Sequence, residues 1–105
     1  MDAATNGDTA ATSVKAMIWV GGRVQGVGFR WWSRARALEL GLVGYARNLP
    51  DGRVEVCAQG ERAAIETLEE WLREFPSSRG RPGRVQTVVF QWGTPVSELR
   101  GFTER

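Results

Sequence analysis

The chain has 105 residues, of which 42% are hydrophobic and 25% charged, and its formal net charge at pH 7 is +2. This size and composition are typical of one globular domain, and no apolar run is long enough to cross a bilayer, which excludes a transmembrane protein. The sequence contains no histidine, which excludes histidine-based catalytic triads, histidine-ligated zinc and a histidine general base.

Residues 1–14 are rich in Ala, Thr, Asp, Asn and Gly, and they have neither a basic start nor an apolar segment. They are predicted to form a disordered leader rather than a secretion signal, followed by one domain over residues 15–105. The single cysteine, Cys57, cannot form an internal disulfide. Together with the lack of a secretion signal, it predicts a cytoplasmic protein in a reducing compartment.

The first half of the domain reads as strand, helix, strand. Residues 16–24 alternate with a period of two, which indicates a strand that ends in glycines. Apolar residues recur at helical spacing from Phe29 to Leu40, and Gly41 stands where a left-handed cap would end the helix. Residues 42–48 then read as the second strand.

The second half reads as strand, helix, strand. After the turn signal Pro50-Asp51-Gly52, residues 53–59 alternate as a third strand, which is predicted to form a hairpin with the second. The next helix is predicted to open at Gly60, to carry Phe75 on its apolar stripe and to end at Pro76. The remaining segments are a basic loop, a further strand and a short last strand, over residues 77–83, over residues 84–92 and around Phe102.

This order of elements predicts an α+β sandwich of the ferredoxin-like, split βαβ type (βαββαβ). The sheet is expected to be antiparallel and to carry both helices on one face. A right-handed crossover makes the first and second strands parallel, so that their C-terminal ends share one edge of the sheet. Residues 23–28, the start of the first helix and Asn48 are therefore expected to lie together.

Glycines follow the first strand in the segment Gly22-Arg23-Val24-Gln25-Gly26-Val27-Gly28. Gly26 and Gly28 permit positive φ values, with which successive amides turn inward around an anion, and a helix N-terminus adds unpaired N–H groups. Arg30, in the first helical turn, can donate to the same anion. The segment lacks the lysine of a P-loop and the third glycine of a dinucleotide fingerprint. From these residues alone, an anion site and a plain glycine-rich connection both stay open.

Residues 22–30 resemble the phosphate-loop signature of the acylphosphatase family. The segment Leu40-Gly41-Leu42-Val43-Gly44-Tyr45-Ala46-Arg47-Asn48, followed by Asp51-Gly52-Arg53-Val54-Glu55-Val56, is similar to the second signature of that family. Tyr45 and Ala46 depart from the usual Trp-Val of this signature. The resemblance runs from about Lys15 to the end of the sequence, with both signatures at the expected spacing.

The resemblance implies a hydrolase that converts acyl phosphates to a carboxylate and inorganic phosphate, without a metal and without a cofactor. In that family the arginine matching Arg30 binds the phosphate, and the asparagine matching Asn48 orients the attacking water. The other phosphate ligands implied by the family are main-chain amides, those of Arg23, Val24, Gln25, Gly26, Val27 and Gly28. Inorganic phosphate or sulfate is expected to bind as a product-like ligand, and the chain is expected to act as a monomer without nucleic acid or membrane partners.

Several polar side chains are interpreted as structural rather than catalytic. Asp51 is assigned to the turn, Glu55 to an exposed strand position and Glu39 to the surface of the first helix. Cys57 is assigned to the exposed side of its strand, with no partner that would activate the thiol. For Trp31 and Trp32, at the start of the first helix, packing and contact with the acyl group both stay open.

The alternative function is a non-enzymatic ferredoxin-like module that binds RNA or handles an acyl or carbamoyl phosphate for a partner protein. The mild positive charge suits either kind of anionic ligand. An RNA-recognition module would carry aromatic residues on the third strand, and residues 53–59 contain none. The residues therefore favour the hydrolase.

Overall fold

The computed structural model describes residues 13–105. In chain order, this part of the protein forms β1 (Ser13–Arg23), α1 (Phe29–Glu39), β2 (Val43–Asn48), β3 (Val54–Glu61), α2 (Arg62–Arg73), β4 (Arg84–Gly93) and β5 (Phe102–Glu104). The order confirms the predicted βαββαβ fold with a short last strand. Of the leader predicted over residues 1–14, only Ser13 and Val14 are described, and they belong to β1 and pair with β3; the rest lies outside the described residues.

The strands form one sheet in the order β4-β1-β3-β2-β5. Since β1 and β2 both run antiparallel to β3, they are parallel to each other, and their last residues, Arg23 and Asn48, lie at the same edge. The four longer strands pair antiparallel, as predicted, whereas the short β5 pairs parallel to β2, so the complete sheet is mixed. The last residues of β4 lie at the edge of the sheet where β2 begins. The connection to β5 stays at this edge, so β5 starts beside the first residues of β2 and runs in the same direction.

Both helices cover the same face of the sheet, because residues from both helices and from alternate strand positions form one buried cluster. The largest fully buried side chains of this core are Phe29, Ile18, Leu42, Ile65, Leu68 and Leu72. Removing such apolar side chains from water contributes roughly 1.5–3 kcal/mol each to folding. The core therefore fixes the start of α1 against the sheet, where the glycine segment enters the helix.

The second helix is shorter than the sequence pattern predicted at both ends. Gly60 belongs to β3 and the helix begins at Arg62, so Gly60 does not open it. The helix ends at Arg73, and Phe75, expected on the apolar stripe, is 85% exposed. Because a residue before proline is disfavoured in the helical conformation, Phe75 cannot continue the helix into Pro76. No helix in residues 13–105 has the length and apolar character needed to cross a membrane.

The basic loop over residues 77–83 forms hydrogen bonds with both helices. Arg81 donates to the main-chain oxygens of Trp71, Leu72 and Glu74 at 2.8, 2.9 and 2.8 Å, which satisfies carbonyls at the end of α2. Arg79 lies over the Trp71 ring, 4.0 Å from its centroid. Two of the basic side chains in this loop therefore have structural contacts.

The end of the same loop packs against the glycine segment. Gly83 has a φ of 77°, and a Cβ at this position would lie 2.1 Å from the main-chain oxygen of Arg23 and 2.9 Å from a methyl carbon of Val27. Only glycine permits this close approach. The loop before β4 is therefore in direct contact with the loop that follows β1.

Candidate functional site

The segment between β1 and α1 has the backbone geometry of an anion cradle. Gly26 and Gly28 have φ values of 73° and 86°, and a Cβ at either position would meet nothing within 4 Å. Conformation rather than space therefore requires glycine there. Gly28 is the N-cap of α1, no side chain caps this terminus, and the first turn contains no acidic residue. No side chain therefore occupies the N–H groups at this terminus, and the helix dipole favours a negative charge there.

Arg30 lies in the first turn of α1 and is half-buried. Its Nη1 donates to the main-chain oxygen of Arg105 at 2.7 Å, and the main-chain nitrogen of Arg105 donates to the oxygen of Ala46 in β2 at 2.7 Å. A guanidinium has five N–H donors, so donors of Arg30 other than the one bound to Arg105 are left for a ligand. Through Arg105, Arg30 is held beside β2, two residues before Asn48.

Asn48 is the last residue of β2, pairs with Val54 of β3 and is exposed. Asn48 lies two residues after the buried Ala46 in the same strand. Because side chains two residues apart point to the same face, Asn48 and Ala46 share the face of the sheet that carries the helices. The structure thus brings together the loop over residues 23–28, Arg30 and Asn48, the set of residues predicted from the sequence.

Gln25 connects the loop to the turn that follows Asn48. Its side-chain Nε2 donates to the main-chain oxygens of Leu49, at 2.8 Å, and Arg53, at 2.9 Å. These residues close the turn themselves, since the nitrogen of Leu49 donates to the oxygen of Arg53 at 2.8 Å. The sequence predicted only the main-chain amide of Gln25 as functional, and no local pattern indicates the side-chain contacts because their acceptors lie 24 and 28 residues away.

The other side chains of the loop are used for packing or are exposed. Val24 is 1% exposed and belongs to the core, so that only its main chain can serve a ligand. Val27 packs at the edge of the core beside Gly83. Arg23 is exposed and pairs with Arg84 at the end of the β1–β4 ladder.

The sequence pattern predicted an exposed position for Glu55, but this prediction was wrong, because the residue is only 7% exposed. Its carboxylate accepts hydrogen bonds from Trp19 Nε1 at 3.0 Å, from Tyr45 Oη at 3.2 Å and from Arg47 Nε at 2.7 Å. These side chains come from β1 and β2, the two strands that flank β3, and they cover the carboxylate. Since Val54 and Val56 on either side face the core, Glu55 lies on the opposite face from Asn48 and cannot reach a ligand in the glycine loop.

Two other side chains, Asp51 and Cys57, are poorly suited to act as a base or nucleophile. The main-chain N–H of Arg53, followed by its guanidinium, holds the pKa of Asp51 below its usual value, as expected for a turn residue. Cys57 was expected on the exposed side of its strand but is buried, with 3% of its surface exposed. This burial raises the pKa of its thiol. Among residues 13–105, no group of three or more acidic or cysteine side chains is arranged to hold a metal ion.

The two tryptophans at the start of α1 differ in their surroundings. Trp32 is 3% exposed, stacks with Phe29 at 6.1 Å between ring centroids, and donates from Nε1 to the main-chain oxygen of Arg79 at 2.9 Å. Trp32 is thus a packing residue that also anchors the basic loop. Trp31 is 60% exposed on the outer side of the helix.

Comparisons with known proteins show which family the sequence and the fold resemble. The family model described as Acylphosphatase matches residues 16–103. The acylphosphatase of Mycolicibacterium vanbaalenii is 56% identical over 94 residues, which cover 90% of this chain and 97% of that protein. The acylphosphatase of Mycobacterium avium is 61% identical over 87 residues, covering 83% of this chain and 90% of that protein. The structure of an acylphosphatase from Coxiella burnetii has a TM-score of 0.77 at 34% identity, covering 92% of this chain and 97% of that one.

Proposed function

The chain belongs to the acylphosphatase family, and we propose which of its residues bind the acyl phosphate and position the water. The protein is an acylphosphatase, a hydrolase that cleaves the carboxyl–phosphate bond. The main-chain amides of residues 23–28 and the guanidinium of Arg30 hold the phosphate, and Asn48 orients the water. The observation that carries these roles is the pair of hydrogen bonds from Gln25 to the main-chain oxygens of Leu49 and Arg53, since they join the proposed phosphate loop to the turn that follows Asn48.

Recognition of the phosphate rests on main-chain donors and one permanent charge. Amides turned inward by positive φ values and the N-terminus of α1 supply hydrogen bonds, and Arg30 neutralises charge that develops on the phosphate oxygens. The same donors would hold inorganic phosphate or sulfate as product-like ligands. We expect the chain to act as a monomer, and its single cysteine supports a cytoplasmic location.

The chemistry needs no general acid. The leaving group is a carboxylate whose conjugate acid has a pKa of about 4, so it departs with its bonding electron pair without being protonated. The oxygen of the water forms a bond to phosphorus as the bond from phosphorus to the acyl oxygen breaks. A sequence without histidine is suited to this reaction.

The proton of the water passes to an oxygen of the substrate's own phosphate. Asn48 can accept and donate hydrogen bonds, but its amide is too weak a base to take this proton. The carboxyl groups of Asp51 and Glu55 are otherwise engaged, because Asp51 is paired with Arg53 and Glu55 lies on the other face of the sheet. Substrate-assisted proton transfer therefore agrees with the surroundings of the site.

The decisive experiment is hydrolysis of benzoyl phosphate in the presence of EDTA by the wild type, by Arg30→Ala and by the control Arg62→Ala. Arg62 is exposed and begins α2 at the opposite edge of the sheet from the phosphate loop. Arg30→Ala is expected to lose about 3 kcal/mol of transition-state stabilisation, or at least about 100-fold in kcat/KM, as for the loss of an oxyanion donor. A wild type without activity, or an Arg30→Ala enzyme as active as the control, would refute the proposal.

A further inference from the structure

Gly83, the last residue of the basic loop, lies against the main chain of the proposed phosphate loop. A Cβ at Gly83 would overlap the oxygen of Arg23, lie 3.3 Å from the carbonyl carbon of that residue and crowd a methyl group of Val27. A main-chain oxygen moves only together with its planar peptide unit, so it cannot make room as the end of a flexible side chain can. Gly83 therefore limits how far the Arg23 oxygen can turn toward β4.

The peptide unit that Gly83 contacts also carries one of the amides proposed to bind phosphate. The oxygen of Arg23 and the N–H of Val24 belong to one trans peptide, so they point in opposite directions. Since the oxygen touches the residue just before β4, the N–H of Val24 is directed away from β4. Both ends of this peptide are fixed, because Arg23 pairs with Arg84 in the sheet and Val24 is buried in the core. A tilt of the oxygen would thus turn the Val24 N–H.

The basic loop is itself held in place at two points before Gly83. Arg81 donates three hydrogen bonds to main-chain oxygens at the end of α2. The main-chain oxygen of Arg79 accepts from Trp32 Nε1, at 2.9 Å, in the first turns of α1. Directly after Gly83 the chain enters β4. Because the loop is anchored on both sides of Gly83, crowding at this residue would displace the Arg23 peptide rather than the loop.

We propose that Gly83 is a positioning residue for phosphate binding, because it holds the peptide between Arg23 and Val24 with the Val24 N–H directed at the phosphate. This inference rests on the proposed role of the loop amides. Arg81 then contributes to the site through hydrogen bonds that hold the basic loop, not through contact of its charge with the substrate. Loss of this support is expected to weaken the binding of phosphate more than it lowers kcat, since the proposed water-binding residue, Asn48, lies outside these contacts.

The test measures the inhibition constant of inorganic phosphate, together with kcat and KM for benzoyl phosphate, in the wild type, Gly83→Ala and the control Gly80→Ala. Gly80 lies in the same loop with a φ of 65°, and a Cβ there would meet nothing within 4 Å. Both variants place alanine in the left-handed region, but only Gly83→Ala crowds Arg23. Gly83→Ala is expected to raise the inhibition constant about tenfold, the scale of one hydrogen bond to a charged group. Its kcat should change by less than about threefold, and both constants of Gly80→Ala by less than about twofold.

Arg81→Met tests the same support without adding a group, and it decides the matter if Gly83→Ala fails to fold. This change removes the three hydrogen bonds to α2 and keeps a long side chain. The inhibition constant of phosphate is expected to rise about threefold, less than in Gly83→Ala because the peptide is loosened rather than displaced. The matched control is Arg73→Met, which removes an ion pair at the end of the same helix.

Three outcomes would overturn the positioning role. These are equal inhibition constants in Gly83→Ala and Gly80→Ala, a fall of kcat in Gly83→Ala with unchanged binding of phosphate, and equal inhibition constants in Arg81→Met and Arg73→Met. Failure of the proposed function is recognised separately. In that case the wild type does not hydrolyse benzoyl phosphate, or Arg30→Ala binds phosphate as tightly as the wild type does.

Discussion

The side-chain amide of Gln25 donates to the main-chain oxygen of Leu49 at 2.8 Å, directly after Asn48. Gln25→Met keeps the length of the side chain but loses this bond and the bond to Arg53. Because small displacements of reacting groups are costly, we expect kcat to fall about tenfold. The measurement is kcat together with the inhibition constant of inorganic phosphate, which should change by less than about twofold if phosphate binding is intact.

The control for this change is Gln91→Met, which alters an exposed position in β4. A double variant separates positioning from general stability. If Gln25 acts through Asn48, Gln25→Met should lower kcat little further in an Asn48→Ala background, because interacting residues are not additive. Additive losses, or an inhibition constant that rises in step with the loss of kcat, would contradict this role.

Asn48→Ala is expected to lower turnover while leaving the binding of phosphate nearly intact. The reason is that Asn48 stands at the end of β2, whereas the donors proposed for phosphate lie in the loop and at Arg30. Steady-state kinetics should show a fall of about 100-fold in kcat, with the inhibition constant of phosphate within about twofold of the wild type. A parallel loss of binding and turnover would show that Asn48 contacts the phosphate itself.

Glu55→Gln is expected to reduce stability without changing the chemistry. The neutral amide loses the charge that pairs with Arg47 at 2.7 Å, and its NH₂ group cannot accept the bonds that the carboxylate accepts. We expect a loss of about 1–2 kcal/mol in the free energy of unfolding, measured with urea. The exposed Glu66→Gln serves as control. A change in the pH dependence of kcat in the Glu55 variant would instead identify this carboxyl as a base.

The buried thiol of Cys57 is expected to affect stability at alkaline pH. Burial raises its pKa in the folded protein above the usual 9.0. Its contribution to stability is therefore fully present below the unfolded pKa and is lost as pH rises through the folded pKa. In urea unfolding above pH 9, Cys57→Ala should lose less stability than the wild type.

A second group titrates in the alkaline range, so it must be tested in parallel. Burial, followed by the charge of Glu55, raises the pKa of Tyr45 above its usual value, and Tyr45→Phe removes that contribution.

Iodoacetamide should alkylate Cys57 in the folded protein far more slowly than in urea, because the thiolate is the reactive form and the side chain is covered. Rapid alkylation of the folded protein below pH 8 would contradict the burial.

The sequence predicted the features that depend on local pattern. Alternation in β1 and β3 identified the strands, glycines marked the loop, and the parallel course of β1 and β2 brought the loop and Asn48 to one edge. These features follow from periodicity, turn chemistry and the handedness of a crossover, each of which acts over short stretches of chain.

The features that were missed depend on partners from distant parts of the chain. Glu55 is buried because Trp19, Tyr45 and Arg47 cover it, and alternation alone could only assign it to the face without helices. The direction of β5 depends on the edge of the sheet at which β4 ends, and the order of the strands along the chain does not give this information. Phe75 fitted the helical spacing, but the local restriction before proline outweighed that pattern.

The composition of the proposed phosphate loop also bears on the kind of inhibitor that would suit the site. Residues 22–30 contain no lysine, cysteine, serine, threonine, tyrosine or histidine, so this segment offers no side-chain nucleophile to an electrophilic drug or activity-based label. The composition of this segment therefore favours compounds that bind reversibly. The natural starting point is a non-hydrolysable phosphate mimic, a phosphonate for example, whose oxygens accept from the donors proposed for phosphate.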